Sequence, residues 1–410
     1  MEIELREAPL KIETMEAREI LDSRGRPTVE VVFTAEGHTV TASVPSGKST
    51  GSKEALEKRD ADGRGVQDVL TLLRDEVFPK MQAQNFDSPR ALDKFLITLD
   101  GTPNKSRLGA NGILAVSIAF TKLSAAVSGL PLWRYIAECE GFTPAYPRLY
   151  MNVLNGGAHA DFCLPFQEYI LVIGGTPTRA YPRAQKLFTT LGERMRKEVG
   201  EVSLGDEGGY APRFATLERP FEILTELIAG EDEIFLAIDA AATEFSDNDK
   251  YTLLDKSYTS DEFLSVYAGL MREFPLRSIE DAFAEDDVAS FAKLLASAPQ
   301  GTLVVGDDLT VTNAHVLREM IAARAGNALI VKPNQIGTLS EVYDTVRMAH
   351  EAGWKTIVSH RSGETLDPFI ADLAVGVGAY GLKAGAPSQQ ARAVKYERLV
   401  VIEKEFPVVQ

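Results

Sequence analysis

The sequence has few cysteines and a deficit of basic charge. Only Cys139 and Cys163 occur among 410 residues, and their spacing matches no metal-binding pattern. This excludes a disulfide framework and fits a reducing compartment. Acidic residues outnumber lysine and arginine, 59 to 43, which gives a net charge of −16. Because proteins that neutralise nucleic-acid phosphates carry the opposite balance, we expect no nucleic-acid partner.

Long hydrophobic runs are also missing. The N-terminus reads Met1-Glu-Ile-Glu-Leu-Arg and lacks the apolar core of a signal peptide. No run approaches the ~18 apolar residues of a membrane-spanning helix, so we expect no membrane partner and a cytoplasmic location. With 45% hydrophobic residues, the chain is long enough for a barrel of roughly 250 residues and a second domain.

The C-terminal half contains short apolar runs that each end in a charged or polar residue. They recur at about the length of one strand, one helix and two loops, which is typical of a (β/α) barrel. Because the strands of such a barrel end at one mouth, residues at these ends are candidate catalytic residues. The runs cover 234–239, 276–280, 302–307, 328–332, 356–360 and 381–383.

The N-terminal half shows a different pattern. Residues 12–44 predict a three-stranded meander, followed by a loop of small and hydroxylated residues at 45–51 that could act as a lid. Helical periodicity then dominates, in the segments 64–82, 89–100, 109–128 and 132–139. We therefore predict an α/β protein with an α+β (β3α4-type) capping domain at 1–145 and a (β/α)8 barrel at 146–410.

Three of the strand ends carry carboxylates, Asp239, Glu280 and Asp307. Because no histidine or cysteine pair accompanies them, the set suits a hard, oxygen-seeking cation such as Mg²⁺. Two later strand ends carry Lys332 and Lys383. A lysine beside a metal ion and a second lysine should have a lowered pKa, so it could act as a general base.

Further polar residues flank these strand ends. Arg361 and Ser362, which follow His360, could bind an anion. Glu207 lies in a glycine-bracketed turn, where the backbone can approach a ligand closely. Glu168 begins a strand near its mouth end, and His159 follows the strand that begins near residue 149.

Ordered motifs of this kind are similar to those of the enolase family along nearly the whole chain. The matching strings include Ala17-Arg-Glu-Ile-Leu-Asp-Ser-Arg-Gly25, Asn155-Gly-Gly with His159, Gln167-Glu168, Gly205-Asp-Glu-Gly-Gly209, Ser278-Ile-Glu-Asp281, Gly306-Asp-Asp-Leu-Thr-Val-Thr-Asn313 and Lys383 with Gly385-Ala-Pro387. The resemblance implies an enolase-type barrel that dehydrates 2-phospho-D-glycerate to phosphoenolpyruvate. It also implies a homodimer or larger homo-oligomer.

Roles for individual residues follow from the same resemblance. It implies two Mg²⁺ per active site, with Asp239, Glu280 and Asp307 as ligands of one ion and Ser49 as a ligand of the second, substrate-dependent ion. Lys332 matches the base, and Glu207 matches the acid, assisted by Glu168. The residues that would bind or line the anionic phosphoglycerate substrate are His159, Gln167, His360, Arg361, Ser362 and Lys383.

Several positions depart from the family pattern and leave the substrate open. Lys48 replaces the usual alanine of the loop, and Ala282 replaces a proline. One alternative is therefore an enolase paralogue of secondary metabolism that forms carboxyphosphonoenolpyruvate, with Lys48 as a specificity residue that offsets an extra carboxylate. A racemase or lactonising enzyme is less consistent, because Gln167-Glu168 stands where those enzymes carry a lysine pair. A non-catalytic structural recruit of the fold is the most remote alternative.

Overall fold

The computed structural model describes residues 9–48, 51–248 and 250–405. The first element of the fold is a three-stranded antiparallel sheet. The strands are β1 (Thr14–Leu21), β2 (Pro27–Ala35) and β3 (His38–Ser43). Gly37 adopts φ +78° at the tight β2–β3 turn, a conformation that glycine tolerates best. Alternate residues of β2, such as Val29, Val31 and Phe33, are fully buried, so one face of the sheet covers a core.

Helices pack on that face and complete the capping domain. The most buried of them is Ala110–Val127, whose length and composition would allow it to cross a membrane, although 78% of it is buried inside the protein. It is the only such helix among the described residues. A π-helical turn at Leu73–Val77 joins the first two helices. The helices are α1 (Gln67–Leu72), α2 (Phe78–Gln82), α3 (Pro89–Asp100), α4 (Ala110–Val127) and α5 (Leu132–Glu140).

The rest of the chain forms a closed eight-stranded barrel, which confirms the predicted fold class. Around the barrel the strand order is β10-β11-β12-β13-β14-β4-β5-β6. All neighbours are parallel except β5, which runs antiparallel to β4 and β6. The strands are β4 (Arg148–Asn155), β5 (Glu168–Ile173), β6 (Ile234–Asp239), β10 (Leu276–Glu280), β11 (Leu303–Gly306), β12 (Ala328–Val331), β13 (Lys355–Ser359) and β14 (Gly381–Lys383).

Helices surround the barrel, and the first two follow β5 in succession. A small separate sheet of β7 (Ser246–Asp247), β8 (Lys250–Leu253) and β9 (Lys256–Thr259) precedes α8. Thr259 and Glu262 form a capping box at the start of α8, which satisfies backbone N–H groups of its first turn. The helices are α6 (Pro177–Val199), α7 (Arg219–Leu227), α8 (Ser260–Glu273), α9 (Val288–Ser297), α10 (Ala314–Ala323), α11 (Leu339–Glu351), α12 (Phe369–Gly376) and α13 (Gln390–Glu405).

Alternation along the strands positions the polar residues at the mouth. One buried apolar cluster consists of alternate residues of neighbouring strands, so these side chains fill the barrel interior. Its members are Tyr150, Ile170, Val172, Phe235, Ala237, Leu303, Val305, Ala328, Ile330 and Ile357. The next interior positions toward the mouth are polar or charged: Asn152, Glu168, Asp239, Asp307 and Lys332. The functional layer is therefore the top layer of a packed barrel.

Candidate active site

Carboxylates of neighbouring strands meet at the Lys383 ammonium group. Lys383 Nζ lies 2.8 Å from both carboxylate oxygens of Glu280, 3.4 Å from Asp239 Oδ2 and 3.2 Å from Glu168 Oε1. All four side chains are almost fully buried. Burial alone would lower the pKa of Lys383, but these carboxylates outweigh it and raise the pKa well above its usual value. Lys383 therefore binds two of the three predicted metal ligands.

The third predicted ligand, Asp307, is bound by other groups. Lys332 Nζ donates to Asp307 Oδ2, and Gln335 Nε2 donates to Asp307 Oδ1 at 2.9 Å. Burial would lower the pKa of Lys332, but the Asp307 carboxylate raises it above the usual value. The predicted lowering of the Lys332 pKa concerns a lysine beside a metal ion; in the metal-free structure the adjacent carboxylate outweighs burial and the repulsion from Lys383 and Arg361.

Glu207 faces the buried imidazole of His360. Arg392 Nη1 donates to His360 Nδ1 at 2.6 Å, so the other ring nitrogen, Nε2, carries the proton of the neutral imidazole. That nitrogen lies 3.2 Å from Glu207 Oε2. Burial lowers the pKa of His360 to about 4, so the ring is neutral near pH 7. Burial would raise the pKa of Glu207, but His360, His159 and Arg392 lower it well below its usual value.

A second carboxylate, Glu168, accompanies Glu207. Acceptor or donor atoms of His159, Glu168 and Glu207 lie within 4.8 Å of one another. Burial first, and then repulsion from Glu207, raises the pKa of Glu168 well above its usual value. The pKa of Glu168 therefore lies above that of Glu207, so a single proton shared by the pair resides on Glu168. Asn152 Nδ2 donates to Glu207 Oε2 at 3.1 Å.

Polar atoms without a hydrogen-bond partner cluster at this layer. Within the described part of the chain they include Asn152 Oδ1, His159 Nδ1, Gln167 Oε1 and Glu168 Oε2. Gln167 does donate its Nε2 to Asp239 Oδ2 at 3.3 Å. Buried polar groups normally find a partner, so several unpaired groups in one pocket indicate a polar ligand.

Arg361 and Ser362 lie at the side of the pocket nearest the capping domain. Arg361 donates to both carboxylate oxygens of Glu54, at 2.9 and 3.2 Å, and to Asn334 at 3.2 Å. Ser362 Oγ accepts from Arg24 Nη1 at 3.1 Å. The structure therefore places two guanidinium groups and a hydroxyl at the predicted anion site, and Glu54 occupies the bidentate face of Arg361.

Lys48 of the predicted lid loop reaches the barrel. Its Nζ lies 2.8 Å from Asp206 Oδ2 and 2.9 Å from the carbonyl oxygen of Ala158. Ser49, the predicted ligand of a second ion, lies outside the described residues. The ammonium group of Lys48 is therefore already neutralised by a carboxylate of the protein.

The donor set fits a divalent cation. In the pocket that these side chains line, carboxylates outnumber lysine and arginine side chains. Asp281, Asp307 and Asp308 place carboxylate oxygens within 4.8 Å of one another. Burial and mutual repulsion raise the pKa of Glu280 and Asp281 well above the usual range. Oxygen donors with excess negative charge are what Mg²⁺ requires, and Asp239, Glu280 and Asp307 could hold it.

Asp308 provides a test of this excess charge. Burial and then repulsion from Asp307 raise its pKa to about 7. Because the folded state holds this proton more tightly than the unfolded chain, the charged form destabilises the fold as pH rises from about 4 through 7. We expect Asp308→Asn to raise the free energy of unfolding of metal-free protein by roughly 1–3 kcal/mol at pH 8.

Urea unfolding in the presence of a chelator measures this difference at pH 8 and at pH 4. The expected gain disappears toward pH 4, where Asp308 is protonated in the folded state and loses its charge in the unfolded one. An Asn variant that is no more stable than the wild type at pH 8 would contradict the assignment.

Comparison with known proteins shows the same two-part organisation. The family model "Enolase, N-terminal domain" matches residues 12–136, and "Enolase, C-terminal TIM barrel domain" matches residues 144–409. The enolase of Methanopyrus kandleri is 43% identical over 412 residues, which cover 97% of this chain and 96% of that protein. The enolase of Mycobacterium leprae is 43% identical over 408 residues, 96% of this chain and 95% of that protein. The chain belongs to the enolase family.

Family membership makes the chain a hydro-lyase of the enolase type. Enolases are in general magnesium-dependent, which agrees with the oxygen-rich donor set. Nothing in the comparisons supports the alternative of a carboxyphosphonoenolpyruvate-forming paralogue. Lys48, the predicted specificity residue, is paired with Asp206 in this structure.

Several residues of this enolase site were not identified from the sequence, among them Asn152, Gln335, Glu54 and Arg392. Asn152 occupies the interior position two residues beyond Tyr150, so the alternation along β4 could have revealed it. Gln335 follows Lys332 by three residues, in the 3₁₀ turn Pro333–Gln335. Glu54 and Arg392 approach the site from the capping domain and from α13, and no local pattern indicates either contact.

Proposed function

We propose that this protein dehydrates 2-phospho-D-glycerate to phosphoenolpyruvate, with Lys332 as the base at C2 and the Glu168–Glu207 pair as the acid at the C3 hydroxyl. The observation that carries these roles is the barrel order. β12, which precedes Lys332, and β5, which begins at Glu168, are separated by three strands on either side. Base and acid therefore face each other across the mouth, as the elimination of a proton and a hydroxide from opposite faces of a substrate requires.

The acid pair suits the departure of hydroxide. Hydroxide is a poor leaving group and needs a proton in the transition state. Glu168 holds that proton because burial and the Glu207 charge raise its pKa. Glu207 lies next to it and is oriented by Asn152 and His360. We propose that the pair passes its proton to the C3 hydroxyl through Glu207.

The base requires a change in its surroundings before it can accept a proton. Lys332 is held in its charged form by Asp307. Bound Mg²⁺ would supply positive charge that offsets both Asp307 and the negative charge that develops on the substrate carboxylate. We propose that Asp239, Glu280 and Asp307 would hold one ion. We also propose that Lys332 acts as a neutral amine, while Lys383 stays charged and binds the substrate carboxylate.

The phosphate group would bind on the capping side, at Arg361 and Ser362. A guanidinium matches two phosphate oxygens, whereas a lysine offers a point charge. We expect Arg361→Lys to raise KM by about 10- to 100-fold, with a smaller change in kcat, because a charge-assisted bond contributes about 1.5–3 kcal/mol.

Steady-state kinetics with 2-phospho-D-glycerate measure this split, with inorganic phosphate as a competing ligand. Arg347→Lys, on the outer helix α11, is the matched control, since Arg347 contacts Glu140 away from the site. A variant with unchanged KM and unchanged inhibition by phosphate would contradict the placement of the phosphate.

Other parts of the proposal depend on family membership. We propose a second, substrate-dependent Mg²⁺ with Ser49 among its ligands, a homodimer or larger homo-oligomer, and a cytoplasmic location. We also propose the domain division at 145/146, close to the start of the barrel match at residue 144. Mass measurement in solution tests the assembly, and turnover of 2-phospho-D-glycerate by the purified protein tests the activity.

A further inference from the structure

Lys48 joins the capping domain to the two barrel turns that carry acid-side residues. Its ammonium group contacts Asp206, which precedes Glu207, and the carbonyl of Ala158, which precedes His159. We propose that Lys48 is a positioning residue that aligns the Glu207 and His159 turns for proton transfer to the leaving hydroxyl. This inference rests on the proposed function and adds a residue that the family pattern does not provide, since alanine at this position has no group for either contact.

The loop that bears Lys48 is anchored before it reaches across. Ser46 and Gly363 exchange two backbone hydrogen bonds, of 2.8 and 2.9 Å. Arg24 Nη2 donates to the carbonyl oxygens of Ser46 and Gly47, at 3.2 and 3.3 Å. Lys48 therefore extends from a fixed base, and its contacts can restrain the turns that it touches.

The two turns also contact each other, so one lysine can hold both. The backbone N–H of Asp206 donates to the carbonyl of His159 at 3.1 Å. The carbonyl of Asp206 accepts from Gln389 and Arg392, both at 3.3 Å. The contact from Lys48 comes from the capping side, opposite to α13. Together these bonds hold the Asp206–Glu207 backbone between the two domains.

The position of this contact predicts which kinetic constant it affects. Asp206 and Ala158 border the acid end of the pocket, whereas Arg361 and Lys383 would hold the substrate phosphate and carboxylate. Loss of the contact should therefore lower kcat and change KM by less than about two-fold. Because the side chains of Lys48 and Asp206 are 45% and 30% exposed, the effect is modest and weakened by salt. We expect kcat to fall about two- to five-fold in Lys48→Ala at low ionic strength.

Paired variants test the inference. Lys48→Ala, Asp206→Asn and the double variant should lose similar activity, because either change removes the same contact. Lys48→Arg should restore most of it. Lys53→Ala, which changes an exposed lysine outside the pocket lining, is the control and should match the wild type. Additive losses in the double variant, or unchanged kcat in Lys48→Ala, would overturn the inference.

Tryptic cleavage after Lys48 tests the contact without using enzyme activity. The protease must take the lysine side chain into its own pocket, which the bond to Asp206 opposes. We expect faster cleavage of the Lys48–Ser49 bond in Asp206→Asn than in the wild type, measured by mass spectrometry at low salt. Equal rates would overturn the contact. If the wild type is inactive but Asp206→Asn is still cleaved faster, the proposed function is contradicted and the contact between Lys48 and Asp206 is not.

Discussion

Lys332→Ala should lose dehydration activity by a factor of about 10³ or more, the upper part of the range for general-base catalysis. The Lys332 side chain lies at the end of β12 in the polar layer and contacts Asp307. The neighbouring amine of Lys383 cannot replace it, because Glu280, Asp239 and Glu168 hold that amine in place. The measurement is the ultraviolet absorbance of the enolpyruvate product.

Exchange of the C2 hydrogen with deuterated solvent separates the base from the acid. Lys332→Ala should lose this exchange together with product formation. Glu207→Gln should lose product formation and keep the exchange, since the proton at C2 can still be removed and returned. Lys355→Ala, at the opposite end of the barrel on β13, is a matched control with normal activity. Retained exchange in Lys332→Ala would contradict its role as the base.

Removal of divalent cations should abolish activity. Glu280→Gln should raise the Mg²⁺ concentration needed for half-maximal activity by about 100-fold or more. Even a change to a residue that only contacts a metal ligand lowers metal affinity or activity by about 10- to 100-fold. Glu280 is buried beside Asp239 and Lys383, and burial, followed by repulsion from Asp239, raises its pKa, a cost that a bound cation would relieve. The expectation therefore follows from the charge balance of the pocket.

Thermal unfolding provides a readout of metal binding that does not depend on turnover. An ion that binds the folded state stabilises it by about 2.7 kcal/mol at 100 times its Kd, so Tm of the wild type should rise with added Mg²⁺. The rise should be small in Glu280→Gln and normal in Glu273→Gln, an exposed acid at the end of α8. Equal stabilisation of all three proteins would contradict the assignment of Glu280 as a ligand.

Much of the architecture follows from local patterns. The predicted strands 234–239, 276–280 and 381–383 coincide with β6, β10 and β14, because buried barrel strands are short apolar runs that end where the chain reaches the polar mouth. Glu168 illustrates a subtler case. It begins its strand and still lies at the mouth, because β5 runs antiparallel to its neighbours.

Other features depend on contacts between distant parts of the chain. A strand pattern does not show which carboxylate contacts the Lys332 amine; in the metal-free structure it is Asp307, which outweighs burial and raises the pKa of Lys332. Arg392 is fully buried beneath His360, and Glu54 occupies the face of Arg361, over sequence separations of 32 and 307 residues. The sequence does not indicate that Lys48, the predicted specificity residue, pairs with Asp206, which lies 158 residues away. Pairing of this kind is set by the assembled fold.

The most direct test offers 2-phospho-D-glycerate and its carboxyphosphono analogue to the purified protein in parallel, with Mg²⁺, and follows formation of each enolpyruvate. We expect rapid conversion of 2-phospho-D-glycerate, little or no conversion of the analogue, and loss of the activity in Lys332→Ala. A folded, Mg²⁺-binding protein that leaves 2-phospho-D-glycerate untouched while it converts the analogue would contradict the assignment of this chain as an enolase acting on 2-phosphoglycerate.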